Sequence, residues 1–447
     1  MSPEGVPRAV SAFSEVKVSM RRVVLLATTT GYQTRAFGEA AERLGVQLVF
    51  ATDRCHVLED PWQDGAIPIR FHEEQASADA IVEAAAEEAI DGVIAVGDRP
   101  TAIAARVAAR LGLPWHPINA AETARDKERT RERLRDAGLP APWFRPSRLD
   151  RDVVDLVGTV DFPCVLKPVA LSGSRGVMRA NNVDEFRAAF ERLRALVRLP
   201  ELRAERNDAH ERALVEGFIP GRELALEGLL HQGVLKVLAL FDKPDPLDGP
   251  FFEETIYVTP SSLDAETQQQ VADTVAEAAA AIGLRHGPIH AECRVNECGV
   301  FVLEVAARPI GGLCARALRF CRADIPGVVS LEELLLRHAL GESPDGWSRE
   351  SCASGVMMIP IPARGVYRGV SGIDEARGVA GVDGITITAR SDQLLVPLPE
   401  GASYLGFIFA RGDTGGQVEG ALRSAHARLQ FSIEPELAVV GSRNLRI

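Results

Sequence analysis

Pro288-Ile289-His290-Ala291-Glu292-Cys293-Arg294-Val295-Asn296-Glu297-Cys298-Gly299-Val300-Phe301-Val302-Leu303-Glu304-Val305-Ala306-Ala307-Arg308 reads as two strands joined by a tight turn. Glu297-Cys298-Gly299 is expected to be a three-residue loop with Gly299 in the left-handed position, so that Asn296 pairs with Val300. Counting back from that pair sets Glu292 opposite Glu304 on one face, with Cβ atoms roughly 4.5–5.5 Å apart. Two such carboxylates repel unless one is protonated or a cation lies between them. Hard oxygen ligands suit Mg²⁺ held jointly with a phosphate. The alternative for this hairpin alone is a pair of solvated glutamates on an exposed sheet face. His290 shares the face of Glu292 by period-two alternation, so it either touches a bound molecule or is a hydrogen-bonded structural histidine.

Upstream, Val165-Leu166-Lys167-Pro168 is a strand ending in a lysine, followed by the small-residue turn Ser172-Gly173-Ser174-Arg175-Gly176. Backbone N–H groups in such a turn can approach phosphate oxygens, with Lys167 supplying fixed charge. A GSxG turn alone is unspecific. No Gly-Lys dipeptide occurs in the chain, which excludes an ordinary P-loop nucleotide triphosphatase. Lys243 lies in Asp242-Lys243-Pro244-Asp245-Pro246-Leu247-Asp248-Gly249-Pro250, a punctuated loop long enough to act as a lid; a solvated surface lysine is the alternative.

From Arg22 to about Pro117, short apolar runs (Val23 to Ala27, Leu48 to Ala51, Gly92 to Val96) alternate with helical faces, one of Phe37, Ala40, Ala41 and Leu44, another of Ala104, Val107, Ala108 and Leu111. That order predicts a parallel sheet with helices on both sides. Thr28-Thr29-Thr30-Gly31 lacks the glycines of a dinucleotide site. The strand-end loops 28–32 and Gly97-Asp98-Arg99 are where such a sheet meets a ligand; alternatively Asp98 caps the helix starting near Pro100. A charged stretch from Ala121 to Ala137 reads as a solvated helix stopped by Gly138-Leu139-Pro140. Beyond it, antiparallel strands are expected at Cys164 to Pro168, Ala213 to Val215, Leu224 to Leu230 and Val234 to Phe241, with helices at Val183 to Arg198 and Ala265 to Ile282. From about Ser351 the chain has short strands, many glycines and a last helix near Val418 to Leu429.

The chain has 447 residues, long enough for several domains, and 46% hydrophobic and 25% charged residues place it among globular proteins. Its 50 Lys plus Arg against 62 Asp plus Glu give a net charge of −12, which argues against a nucleic-acid partner and for a small molecule. No apolar run is long enough to span a membrane. The seven cysteines form no CxxC pair and are expected to be reduced thiols of a cytoplasmic protein; Cys293 and Cys298 have no base partner and are not expected to be nucleophiles. The first nineteen residues show no apolar secretory core and read as a loose tail.

Taken in order, these elements resemble the ATP-grasp superfamily from roughly Ala121 to Arg319. The E-x-[FYW]-x-x-G-x-E hinge pattern of that family matches Glu216, Phe218, Gly221 and Glu223. The resemblance implies a tail (1–20), a Rossmann-like α/β N-terminal domain (21–120), a two-lobed α+β ATP-grasp domain (121–345) and a small α+β C-terminal domain (346–447). It implies ATP and two Mg²⁺ ions, with Mn²⁺ as an admissible substitute. Lys127 and Lys167, with Ser172, Gly173 and Ser174, would grip phosphates. Glu216 and the Phe218 backbone would meet the adenine and Glu223 the ribose, and Leu303 would be a further ATP-binding residue. Glu292 and Glu304 would hold metal, Glu304 bridging both ions. Arg308, with Gly312 nearby, would neutralise the transferring phosphoryl group or the tetrahedral intermediate, and Lys243 and His290 would face substrate or lid. Many members carry Asn two residues after the second glutamate, where this chain has Ala306. The form Glu304-x-Ala306-Ala307-Arg308 followed by Gly311-Gly312 is similar to the L-amino acid ligase and carboxylate-amine ligase branch.

That branch implies activation of a carboxylate as an acyl phosphate and its capture by an amine, with release of ADP and phosphate. The substrates would be amino acids, and a homodimer is one admissible assembly. The alternatives are a carboxylase or carbamoyl-phosphate-synthase-like subunit using bicarbonate, and a nucleotide-binding module without turnover. A binding module has no need of a transition-state cation such as Arg308.

Overall fold

Arg22–Ala27 pairs in parallel with Gln47–Thr52 on one side and Gly92–Val96 on the other, as the short apolar runs predict. The computed structural model describes residues 20–28, 32–53 and 66–436, so the expected N-terminal tail, Cys55 and most of loop 28–32 lie outside the described residues. Ala66–Pro68 adds a fourth parallel strand at the edge, too short to show periodicity. The helix Tyr32–Leu44 buries Phe37, Ala40 and Ala41, and Thr101–Leu111 buries Ala104, Val107 and Ala108, the two anticipated faces.

The charged stretch after this unit departs from the expected solvated helix. It forms two helices, Ile118–Ala124 and Lys127–Asp136, because the Asp126 side chain accepts from the Glu128 and Arg129 amides and starts a new helix there. Nor is it solvated throughout, since Arg131 is buried.

Two antiparallel sheets follow. The smaller is ordered Phe144–Arg148, Arg212–Gly217, Cys164–Pro168, Met178–Ala180 and is covered by Val183–Leu196, whose Phe186, Phe190 and Leu193 are fully buried. The larger has eight strands, ordered Gly299–Ala306, Gly287–Asn296, Arg222–His231, Val234–Asp242, Ile256–Thr259, Ala353–Ile359, Gly406–Gly412 and Val382–Ile387. It runs without a break across position 345, because Ile256–Thr259 pairs with Ala353–Ile359. The last helix is Gly415–His426, begun three residues before the expected Val418 by a capping box of Thr414 and Gln417. No helix among the described residues is long and apolar enough to cross a membrane.

The hairpin differs from the expected register at its tip. Asn296 pairs with Gly299, not Val300, so the turn is the two residues Glu297 and Cys298. A bulge then places the extra residue Leu303 opposite the Glu292–Cys293 step and restores the pair Glu292 and Glu304. Leu303 and Glu304 consequently both leave the packed face, in a strand whose Val300, Val302, Val305 and Ala306 are buried.

One buried group joins these layers. The Glu216 carboxylate accepts from Arg131 Nε at 2.8 Å and Nη2 at 3.3 Å and from Lys167, while Arg131 Nη1 donates to the Val302 carbonyl at 2.7 Å. Helix Lys127–Asp136, the small sheet and the hairpin thus meet at one guanidinium. Removing one partner of a buried charge network leaves the other uncompensated. Arg131→Met is therefore expected to lower the unfolding free energy by about 3 kcal/mol. Chemical denaturation checks this, and an unchanged midpoint would contradict the clamp.

Candidate active site

The two antiparallel sheets face each other across a cavity of about 820 Å³. One wall carries Lys127, Lys167, residues 171–174 and residues 216–219; the other carries Glu223, Glu254, His290, Glu292, Arg294, Leu303, Glu304 and Arg308. Gly97 and Asp98 enter from the N-terminal sheet, and Met358, Tyr404 and Phe407 from the C-terminal strands and loop. Gly311 and Gly312 also line it, the Gly312 carbonyl accepting from Gln33 at 2.7 Å.

On the first wall, Lys127 is the first residue of its helix and reaches two groups: its ammonium donates to the Leu171 carbonyl at 2.7 Å and lies 3.3 Å from Glu304. It therefore ties the base of the glycine turn to the hairpin. Gly173 and Ser174 have φ of 63° and 55°, two successive residues in the left-handed region. Burial pushes the Lys167 ammonium down to about 8 against the pull of Glu216, because Arg131 shares that carboxylate. Glu216 is burdened by burial too, yet the two cations hold it at about 2.

On the second wall, Lys243 is not the solvated lysine that its loop allows. Its side chain is 3% exposed, and its ammonium lies 2.9 Å from Glu223 and 3.2 Å from Glu292 and contacts Glu254. These three carboxylates outweigh burial and raise its pKa well above the usual range. Burial raises Glu292, and Glu254, hydrogen-bonded to it, raises it further against the pull of Lys243. The strands set Glu292 and Glu304 opposite each other, but their carboxylates answer different cations, Lys243 and Lys127. Glu223, Glu254 and Glu292 offer oxygens within 4.8 Å of one another, an all-carboxylate set suited to a hard cation.

Asp98 does not cap the following helix. Its side chain binds Arg308 Nε at 2.7 Å, while its carbonyl receives the Thr101 hydroxyl. Burial raises Asp98, but Arg308 more than offsets this and holds it low; Asp98 in turn raises Arg308 despite that residue's own burial. His290 adopts the structural alternative in part: Nδ1 lies 3.2 Å from the fully buried Glu227, which also accepts from the Ile310 amide, and Nε2 is 4.0 Å from Glu292. The Phe218 amide donates to the Pro163 carbonyl at 3.1 Å. The Phe218 ring lies 4.0 Å from the Arg179 guanidinium and stacks on Phe252.

Sequence reasoning missed Arg131, Glu227, Glu254 and Arg294. Arg294 donates to Glu223 at 2.9 Å and to the Ile219 carbonyl at 2.7 Å, fastening the hinge to the hairpin. It stands two residues from Glu292 on an alternating strand, and that spacing was the available signal for it. Cys293 and Cys314 are buried and their thiols are pushed up, consistent with inert residues.

Three family models match the chain: an ATP-grasp N-terminal domain at residues 38–115, an ATP-grasp domain at 160–317 and L-amino acid ligase C-terminal domain 2 at 357–434. The fold is similar to that of an L-amino acid ligase from Bacillus licheniformis, with a TM-score of 0.78 and 27% identity over 93% of this chain and 99% of that one. An alanine–anticapsin ligase of Bacillus subtilis is 26% identical over 257 residues, 53% of this chain and 52% of that protein. A D-alanine–D-alanine ligase of Cupriavidus taiwanensis is 28% identical over 237 residues, 51% of this chain and 67% of that protein. The chain thus spans about half the length of the alanine–anticapsin ligase that it matches. With its glycine turn, hinge and glutamate hairpin gathered around one cavity, the chain carries an ATP-grasp domain between an ATP-grasp N-terminal domain and an L-amino acid ligase C-terminal domain, and it resembles the L-amino acid ligase branch.

Proposed function

We propose that this cavity joins two amino acids, or an amino acid and another amine, through an acyl phosphate formed at the expense of ATP. The observation that carries the reading is the opposition of Lys127, Lys167 and the 172–174 turn to Glu292, Glu304 and Arg308 across one cavity. The hinge carbonyl of Phe218 and Leu303 would hold the adenine, Glu223 the ribose and the glycine turn the phosphates. Two Mg²⁺ ions, held by Glu292 and Glu304 together with phosphate oxygens, would neutralise the charge that develops at the γ-phosphorus. Ala306 offers no side-chain oxygen, so phosphate and water would complete the shell of a second ion.

The substrate carboxylate attacks the γ-phosphorus, ADP leaves, and the amine then displaces phosphate from the acyl carbon. Arg308 lies beside both events. Asp98 is a positioning residue that holds the guanidinium through Nε at 2.7 Å and Nη2 at 3.4 Å, while Nη1 donates to the Pro309 carbonyl at 3.0 Å. Glu227, by accepting the Ile310 amide, fixes the segment that follows Arg308. Met358, Tyr404 and Phe407 form an apolar and aromatic wall that supports an amino acid with an apolar side chain.

The experiment that tests the function is phosphate release from ATP and Mg²⁺ with amino acids offered in pairs. An ¹⁸O label in the substrate carboxylate should appear in the released phosphate, and hydroxylamine should trap a hydroxamate. Release of AMP and pyrophosphate would refute γ-attack, and ADP release driven by bicarbonate alone would support the carboxylase reading instead. Glu304→Gln is expected to lower kcat by at least about a hundredfold with the fold intact, and Glu292→Gln by less. A wild-type rate with unchanged Mg²⁺ dependence in Glu304→Gln would sink the assignment. Because the Lys167 charge is lost as pH rises through about 8, ADP affinity should fall about tenfold between pH 7 and 9. Lys167→Arg, which keeps its charge, should flatten that titration; the same slope in the variant would mean that another group is responsible.

A further inference from the structure

Far from the hinge, at the other end of strand Arg222–His231, three imidazoles meet. His231 ends that strand, His286 immediately precedes Gly287–Asn296, and His338 lies in the last turn of the helix Leu331–Ala339. Glu223 and His231 are eight residues apart on one strand, which separates the cluster from the hinge carboxylate by roughly 26 Å. Each histidine offers a ring nitrogen, and the three nitrogens lie within 4.8 Å of one another. Nothing in the proposed chemistry uses them.

The packing of these rings is not explained by hydrogen bonding. His231 Nδ1 and His338 Nε2 are 3.3 Å apart, which accounts for one nitrogen of each. His286 Nε2 is buried with no hydrogen-bond partner, in a residue 8% exposed. A buried unpaired imidazole nitrogen is costly. A cation that takes its lone pair removes that cost. The rings lie close enough to share a ligand: His286 and His338 centroids are 4.2 Å apart, and His231 is 5.2 Å from His286 and 5.4 Å from His338.

The surroundings fix the three segments before any ligand arrives. The Gly233 amide donates to the Arg285 carbonyl at 2.7 Å, which ties the turn after His231 to the segment carrying His286. His116 braces the same segment from the N-terminal side. Its Nδ1 accepts from the Arg285 amide at 3.3 Å and its Nε2–H donates to the Pro288 carbonyl at 3.1 Å, so both of its nitrogens are occupied and it is a neighbour rather than a ligand. The third segment abuts the N-terminal sheet, where a Cβ on Gly92 would come within 2.8 Å of the Ala339 carbonyl.

We propose that His231, His286 and His338 form a binding site for a divalent transition-metal ion, Zn²⁺ by its preference for imidazole, clamped where the N-terminal sheet, the large sheet and helix Leu331–Ala339 meet. Three imidazoles and no carboxylate or thiolate select borderline d-block ions over Mg²⁺ and Ca²⁺. Burial lowers His286 to about 4 and His338 to about 3, which keeps their lone pairs free of protons at neutral pH. His231 is half-buried, so water reaches the ion from its side and fills the fourth position. Since the His286 and His338 rings lie nearly parallel, 15° apart, binding turns one of them about its Cβ–Cγ bond.

The test uses the full chain, stripped with a chelator and dialysed against Zn²⁺ or Co²⁺ in millimolar Mg²⁺, which occupies the carboxylate cavity. One equivalent of Zn²⁺ should be retained, Co²⁺ should give the visible absorption of a low-coordinate nitrogen site, and the thermal unfolding temperature should rise with metal. His286→Gln and His338→Gln should weaken binding by at least about tenfold. His231→Gln, at a half-buried position, supplies the same readout if the buried variants fail to fold. Absence of stoichiometric Zn²⁺ binding to the wild-type chain, or equal affinity in His231→Gln and the wild type, would overturn the proposal.

Discussion

The Glu216 carboxylate, shared by Arg131 and Lys167, is the contact on which the geometry of the cavity depends. It lies on the small sheet, receives a guanidinium from the helix before that sheet and an ammonium from the neighbouring strand, and through Arg131 is tied to the carbonyl of Val302 on the hairpin. An isolated buried charge would cost several kcal/mol, so each of the three is stable only while the others are present. The network is therefore cooperative: the elements that carry Lys127, Lys167 and Glu304 are positioned together or not at all.

A second charged group follows the same logic on the opposite wall. Lys243 holds Glu223, Glu254 and Glu292 together, where without it three carboxylates would repel. Lys127 does likewise for Glu304. The cavity thus keeps its acidic wall compact with its own ammonium groups, and the arrival of phosphates and metal ions would exchange partners: lysines pass to phosphate oxygens and carboxylates to the cations. Such an exchange leaves the net charge of the site nearly constant and avoids stranding a desolvated ion at any step.

The N-terminal sheet is part of this site and not an appendage. Its strand-end loop delivers Asp98 to Arg308, so this guanidinium is oriented from a different layer from the one that bears it. The continuous eight-stranded sheet does the same for the far side of the cavity, since Met358 and Phe407 stand on strands that pair onward from Ile256–Thr259. The cavity is thus lined from three layers, and a small shift of any one alters it.

Whatever depends on local periodicity or short spacing was readable in the chain itself. The parallel N-terminal sheet follows from apolar runs alternating with helical faces, the helix Ala265–Ile282 from its pattern, and the hinge from Glu216, Phe218, Gly221 and Glu223. The pairing of Glu292 with Glu304 was reached by counting from a turn that is one residue shorter than expected, and it stands because the Leu303 bulge adds back the missing residue. A bulge leaves no mark in a period-two pattern until strand partners are known. Arg131 looks like any other arginine of a charged helix, and Lys243 like a loop lysine, because burial of a charge is decided by partners 85 and 49 residues away. Asp98 meets Arg308 across 210 residues, and His231, His286 and His338 meet only where three elements converge. The sequence determined which elements form and which faces they bury. Only tertiary packing decided which charges lie within a few ångströms of one another, because electrostatic energy falls with distance through space and not along the chain.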